Sequence, residues 1–162
     1  MTNVLVIGAG TMGTQIALHC AMNGCGVKVY DIKEDILKTS VQKMGMYLEE
    51  LAGSGVITEA QCGGIMARIA ATADPREAGE EADVVSESVP EDPALKAAVF
   101  RKFDCICPPD AVFTTNTSSL VPSMIAKKTG RPDRFAAMHF HPPVWETKIV
   151  DIAPHPKTSP ET

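Results

Sequence analysis

Two groups of residues in this chain have the types and spacing to do chemistry. The first is Gly8-Ala9-Gly10-Thr11-Met12-Gly13, which follows the apolar run Val4-Leu5-Val6-Ile7 and opens a helical stretch. A second run, Val27-Lys28-Val29-Tyr30, ends at Asp31. In such an order the first glycine permits a tight turn, the second lets the backbone approach a pyrophosphate and the third lets helix pack on strand. Phosphates then meet free N–H groups at the helix N-terminus, beside Thr11 and Met12. Asp31 falls about 20 residues downstream, where a carboxylate can accept the ribose hydroxyls of a dinucleotide. A carboxylate there repels a 2′-phosphate, which predicts NAD rather than NADP.

The second group is the polar turn Asn116-Thr117-Ser118-Ser119, the segment His139-Phe140-His141, and Asp151. All fall at or near the ends of expected strands, where ligands bind in open α/β sheets. A histidine and a carboxylate beside a nicotinamide suggest alcohol oxidation: the imidazole accepts the hydroxyl proton while hydride leaves the same carbon. His139 and His141 are two apart and would share a face of an extended strand, as two metal ligands do. Pro142-Pro143 is expected to break that geometry, and no third ligand has an obvious place, so no metal is expected.

The elements that must position these groups follow from periodicity and punctuation. Ile16, Ala17, Cys20 and Ala21 recur at helical spacing, and Asn23-Gly24 ends that helix. A long helix is expected from Glu34 to Leu51, with Ile36, Leu37, Val41, Met44 and Leu48 on one face and Met44 and Met46 in the core. Gly53-Ser54-Gly55 breaks it, and Thr58 to Gln61 caps a short second helix, giving a projecting helical hairpin. Further strands are predicted at Arg68–Thr72, Asp83–Ser88, Val112–Thr115, Arg134–Phe140 and Lys148–Ala153. Helices start at Asp74-Pro75 and Pro93; Asn116 to Ser119 is expected to cap another, around Pro122 to Lys128. The alternation predicts an α/β fold, a Rossmann-type doubly wound and mostly parallel sheet over residues 1–153.

Composition narrows the class. A length of 162 residues suits one well-buried domain. A formal charge of −5, without a basic stripe, disfavours nucleic acid. No apolar run approaches a membrane span, and a first strand at Val4 leaves no room for a signal peptide. Five cysteines, odd in number and without paired metal spacing, read as free thiols, so a cytoplasmic protein is expected.

Taken together, the glycine fingerprint, Pro90-Glu91 with Leu95-Lys96, Asn116-Thr117-Ser118-Ser119-Leu120, and Arg134-Phe135 leading to Met138-His139-Phe140 resemble the NAD-binding domain of the 3-hydroxyacyl-CoA dehydrogenases. The likeness covers essentially the whole chain. It implies an oxidoreductase of fatty-acid metabolism (β-oxidation) that exchanges hydride between NAD and substrate C3. It also implies His139 as acid/base, Ser118 on the reacting oxygen, and Glu91, Lys96, Asn116 and Ser118 at the cofactor, beside Gly8, Gly10, Thr11, Met12, Gly13 and Asp31. The carboxylate that orients the histidine is usually glutamate; Asp151 stands in the matching place, and His141-Pro142-Pro143 follows Phe140 where the family usually has phenylalanine, asparagine and proline. Relatives of the fold that oxidise small hydroxy acids, and a non-catalytic NAD(H)-binding module, are the competing readings. The family usually continues into a helical second domain that supplies dimer contacts and much of the acyl-CoA pocket. Residues 154–162 accordingly read as an interdomain connection cut short. The implied partners are an acyl-CoA, that helical domain in cis or in trans, and a second copy in a homo-oligomer.

Overall fold

The computed structural model describes residues 1–162. Strand β1 (Asn3–Ile7) leads to helix α1 (Thr11–Met22) and β2 (Gly26–Tyr30). Helices α2 (Glu34–Gly53) and α3 (Glu59–Met66) intervene before β3 (Ile69–Thr72). Then come α4 (Pro75–Gly79), β4 (Val84–Glu87), α5 (Pro93–Asp104), β5 (Val112–Thr115) and α6 (Ser123–Ala126). The chain finishes with β6 (Phe135–Phe140), α7 (Val144–Thr147) and β7 (Val150–Ala153).

The seven strands form one sheet in the order β3-β2-β1-β4-β5-β6-β7. All neighbours are parallel except β6 and β7. Alternate side chains of each strand point to opposite faces. Val4, Val6, Val27 and Val29 therefore join the layer of α1, α2 and α3, while Leu5, Ile7, Val85, Phe113 and Phe135 join that of α4, α5 and α6. On the second face Phe100 meets Phe113 and Phe135 with ring centroids 5.7 and 5.2 Å apart. The strand order reverses at β1 and β4, and the crevice beyond their carboxyl ends is where such a sheet takes its ligand.

In α2 the buried residues are Leu37, Ser40, Met44, Leu48 and Leu51, spaced three or four apart as one helical face requires. Met46 points away from that face and is exposed, contrary to the expectation that it is core. The helical hairpin forms as predicted; its α2 arm is tied to α1 by a 2.8 Å bond between the buried Thr14 and Ser40 hydroxyls. Helix α6 is a single turn beginning at Ser123, shorter and later than the spacing suggested. Helix α7 was not legible. It docks on α1 through a 3.1 Å bond from Val144 N–H to Gln15 Oε1, and on α2 through Trp145 against Tyr47. The tail from Pro154 stays at the surface, held by Thr158 Oγ1 donating to Phe135 O at 2.7 Å.

Candidate active site at the carboxyl end of the sheet

The phosphate end is shaped by three glycines with different reasons to be glycine. Gly8 has φ +98°, and a Cβ there would lie 2.8 Å from Ser88 O. A Cβ on Gly13 would come 1.8 Å from Gly8 O, so α1 could not sit so close to β1. At Gly10 a Cβ would meet nothing: the space beside the N-cap of α1 is open. No side chain caps that helix end and no acid lies in its first turn, which leaves its N–H groups to an incoming anion. Asp31 follows β2 directly. Its Oδ2 accepts the Ala9 N–H at 3.0 Å and its Oδ1 accepts the Lys33 N–H at 3.1 Å. The carboxylate thus also pins the glycine turn, a role the sequence did not disclose.

Behind the crevice lies a buried ionic network. Glu87, the last residue of β4, and Lys96, in the first turns of α5, have wholly buried side chains. Lys96 Nζ donates to Glu87 Oε1 at 2.8 Å, to Glu87 Oε2 at 3.0 Å and to Val89 O at 3.2 Å, with Glu91 Oε2 also 3.2 Å away. Glu87 also accepts from Thr115 Oγ1 and Val89 N–H, each at 2.6 Å. Burial pushes the Glu87 carboxyl up from its ordinary range, with the Lys96 charge opposing it. For Glu91, partial burial also pushes upward, but the Thr117 hydrogen bond and Lys96 outweigh it and leave the carboxyl below its usual range. Lys96, expected at the cofactor, is wholly buried and makes its polar contacts with Glu87, Val89 and Glu91.

The turn after β5 corrects a second expectation. Asn116 to Ser119 does not cap α6, whose N-cap is Pro122 with no side-chain bond. Instead Thr117 Oγ1 accepts the N–H groups of Ser119 and Leu120 at 3.4 and 2.9 Å and donates to Glu91, so the hydroxyl satisfies its own turn. Ser119 Oγ also donates to Glu91, at 3.1 Å. Asn116 Oδ1 accepts the Phe140 N–H at 2.8 Å, fastening this turn to β6 next to His139. Ser118 is left exposed in the turn.

His139 on β6 lies directly opposite Asp151 on β7 in the antiparallel register. The histidine side chain is 25% exposed and the aspartate 65%. Asp151 Oδ2 is 3.7 Å from His139 Nδ1, whereas His141 Nε2 stands 2.7 Å from the same oxygen. The carboxylate expected to orient His139 therefore spends its hydrogen bond on His141, because the short aspartate side chain stops before reaching the opposite ring. That bond holds the Asp151 carboxyl below its usual range. The proline pair does end the strand at Phe140, yet it does not part the two imidazoles: their centroids are 4.5 Å apart. Asp151 fills the place for a third ligand, which was not expected, and donor atoms of all three residues lie within 4.8 Å of one another.

With this geometry in view, known proteins decide the family. Residues 3–162 match the family described as 3-hydroxyacyl-CoA dehydrogenase, NAD binding domain. The chain belongs to the 3-hydroxyacyl-CoA dehydrogenase family. A probable 3-hydroxybutyryl-CoA dehydrogenase of Bacillus subtilis (strain 168) is 36% identical over 159 residues, which is 98% of this chain and 55% of that protein. The fatty acid oxidation complex subunit alpha of Idiomarina loihiensis is 33% identical over 97% of this chain and 22% of its own length. The (S)-3-hydroxybutyryl-CoA dehydrogenase PaaH1 from Ralstonia eutropha superposes with a TM-score of 0.95 at 31% identity, over 99% of this chain and 56% of that one. The chain thus spans about half, or less, of the length of these relatives.

As the NAD-binding domain of that family, its cofactor is NAD. The residues fit it: open space at Gly10, uncapped N–H groups on α1 and a carboxylate at Asp31 are the three features a dinucleotide diphosphate and its ribose require. No helix is long and apolar enough to cross a membrane, and all five cysteines are free.

Proposed function

We propose that this domain performs the hydride-transfer half of an (S)-3-hydroxyacyl-CoA dehydrogenase in the cytoplasm, with a short acyl chain such as 3-hydroxybutyryl. The observation that carries the reading is the register of β6 and β7, which sets a histidine and a carboxylate at the carboxyl edge of a dinucleotide sheet. NAD, when bound, supplies the hydride acceptor. His139 accepts the proton of the 3-hydroxyl, Ser118 donates a hydrogen bond to that oxygen, and Asp151 is the positioning residue for His139. Glu91 and Asn116 hold the wall beside the nicotinamide, Glu91 through Lys96 and Thr117 and Asn116 through β6.

The acyl-CoA side requires a helical second domain, in cis or in trans, with which a homodimer could also form; residues 154–162 are the start of that connection. Alone, the chain should bind NADH yet show little turnover, since water reaches the nicotinamide and the acyl pocket is open. Mixing it with a separately expressed helical domain and following acetoacetyl-CoA-dependent NADH oxidation tests this. Recovery of turnover is expected; ordinary turnover by the chain alone, at roughly 10 s⁻¹, would overturn the two-domain account. The Asp151 bond to His141 favours a second reading, a non-catalytic NAD(H) module, which a mixture that binds NADH but never turns over would support. A mixture that oxidises a small hydroxy acid in preference to the acyl-CoA would move the substrate class instead.

Asp31→Ala removes both the ribose acceptor and the partner of Ala9 N–H. NADH affinity should fall roughly ten- to a hundredfold, the worth of hydrogen bonds to a charged group. The preference for NADH over NADPH should shrink with it. Calorimetric titration with both cofactors measures the two effects, and tighter NADPH binding by the unaltered chain would remove the ribose argument.

A further inference from the structure

The cluster at the β6–β7 edge carries more than a base and its partner. We propose that His139, His141 and Asp151 form a binding site for a divalent transition-metal ion of the zinc class, and that its occupancy switches off His139 as a proton acceptor.

Donor type supports the choice of ion. Two imidazole nitrogens and one carboxylate oxygen are a borderline set that suits zinc, whereas magnesium and calcium demand oxygen. Three protein ligands on an open edge leave a fourth position for water, the pattern of accessible rather than sealed sites. The geometry needs side-chain rotation but no movement of the strands. Tetrahedral ligands at ~2.0–2.1 Å from a shared ion lie roughly 3.3 Å from each other. The Asp151 oxygen is now 2.7 Å from His141 Nε2 and 3.7 Å from His139 Nδ1, so one contact must open and the other close by a few tenths of an ångström, while the two imidazole donors, within 4.8 Å of each other, must approach by up to about 1.5 Å. Asp151 is the most exposed of the three side chains and can rotate to do both. The proton now shared by His141 and Asp151 would be displaced, as metal binding to such ligands requires.

The consequence for chemistry follows from the imidazole itself. With its Nδ1 lone pair on a cation, the His139 ring carries its remaining proton on Nε2, and that nitrogen can donate but not accept. Oxidation of a hydroxyl beside it then has no base. This second clause rests on the dehydrogenase reading; the binding does not.

The test uses the full chain, free of cofactor. Calorimetric titration with zinc chloride should show one equivalent bound, with magnesium giving no heat. Cobalt should give the visible bands of a tetrahedral ion without a thiolate charge-transfer band, which separates this site from the free cysteines. His141→Ala and Asp151→Asn should each weaken binding by at least about a hundredfold, since lesser changes around ligands already cost 10–100-fold. Circular dichroism checks that both variants fold. No zinc binding, a thiolate band, or unchanged affinity in both folded variants overturns the site. In the chain assembled with its helical domain, zinc should suppress NADH oxidation, a chelator should restore it, and whatever turnover His141→Ala retains should ignore zinc. Bound zinc with undiminished turnover overturns the switch and leaves the site standing. An assembled pair that never turns over overturns the dehydrogenase reading and, with it, the switch, while the titration still decides the site.

Discussion

Lys96→Met should lower the stability of the domain by about 3–5 kcal/mol, because removing one partner of a buried ion pair leaves the other charge uncompensated. Methionine preserves most of the stem volume, so the loss reports charge and hydrogen bonding rather than a cavity. Lys96 is fully buried and its ammonium is shared among Glu87, Val89 and Glu91, all of which would lose a donor together. Urea denaturation measures the effect. Adding Glu87→Gln to the same chain should recover a large part of the loss, since a neutral amide can still accept from Thr115 or Val89 without carrying a buried charge. A single variant within about 1 kcal/mol of the parent, a typical change for an ordinary substitution, would show that the pair is solvated in a way its burial does not suggest.

Once the helical domain is restored, His139→Ala should reduce turnover by about a hundredfold to ten-thousandfold, with NADH affinity little altered, as loss of a general base does. On the proposed role of Asp151 as the positioning residue for that ring, Asp151→Asn in the His139→Ala background should cost almost nothing further. The conservative change is the sharper instrument. Asp151→Glu adds a methylene, and the present carboxylate stops 3.7 Å short of His139. A longer side chain can close that gap, and turnover should hold or rise. If His141→Ala harms turnover more than His139→Ala in metal-free buffer, the base has been assigned to the wrong imidazole.

Much of this architecture is written in local signals. Valines at 4, 6, 27 and 29 alternate because a strand has two faces, and Gly8 and Gly13 are forced by contacts as close as 1.8 Å. The parts that escaped the sequence depend on neighbours distant in the chain. Helix α7 has only four residues after a proline pair, too few for a period, and exists because Gln15 and Tyr47 receive it. Glu87 lies in the expected strand Asp83–Ser88 with nothing local to mark its partner, because Lys96, nine residues on, meets it only once α5 folds back on β4. Asp151 faces His139 across the β6–β7 register, but which imidazole it bonds depends on reach, and reach is a property of side-chain length in three dimensions.

Strand β7 is one of the two edge strands and the only antiparallel strand of the sheet, and all four of its residues are exposed. Edge segments with few buried contacts open at low free energy while the central strands stay closed. The Asp151 carboxylate beside the two histidines is therefore mounted on an edge of the sheet, where opening is local. Its occupancy beside them is a matter of local unfolding rather than global stability, so a substitution far from the crevice that stiffens or loosens this one edge could tune the chemistry without touching a reacting group.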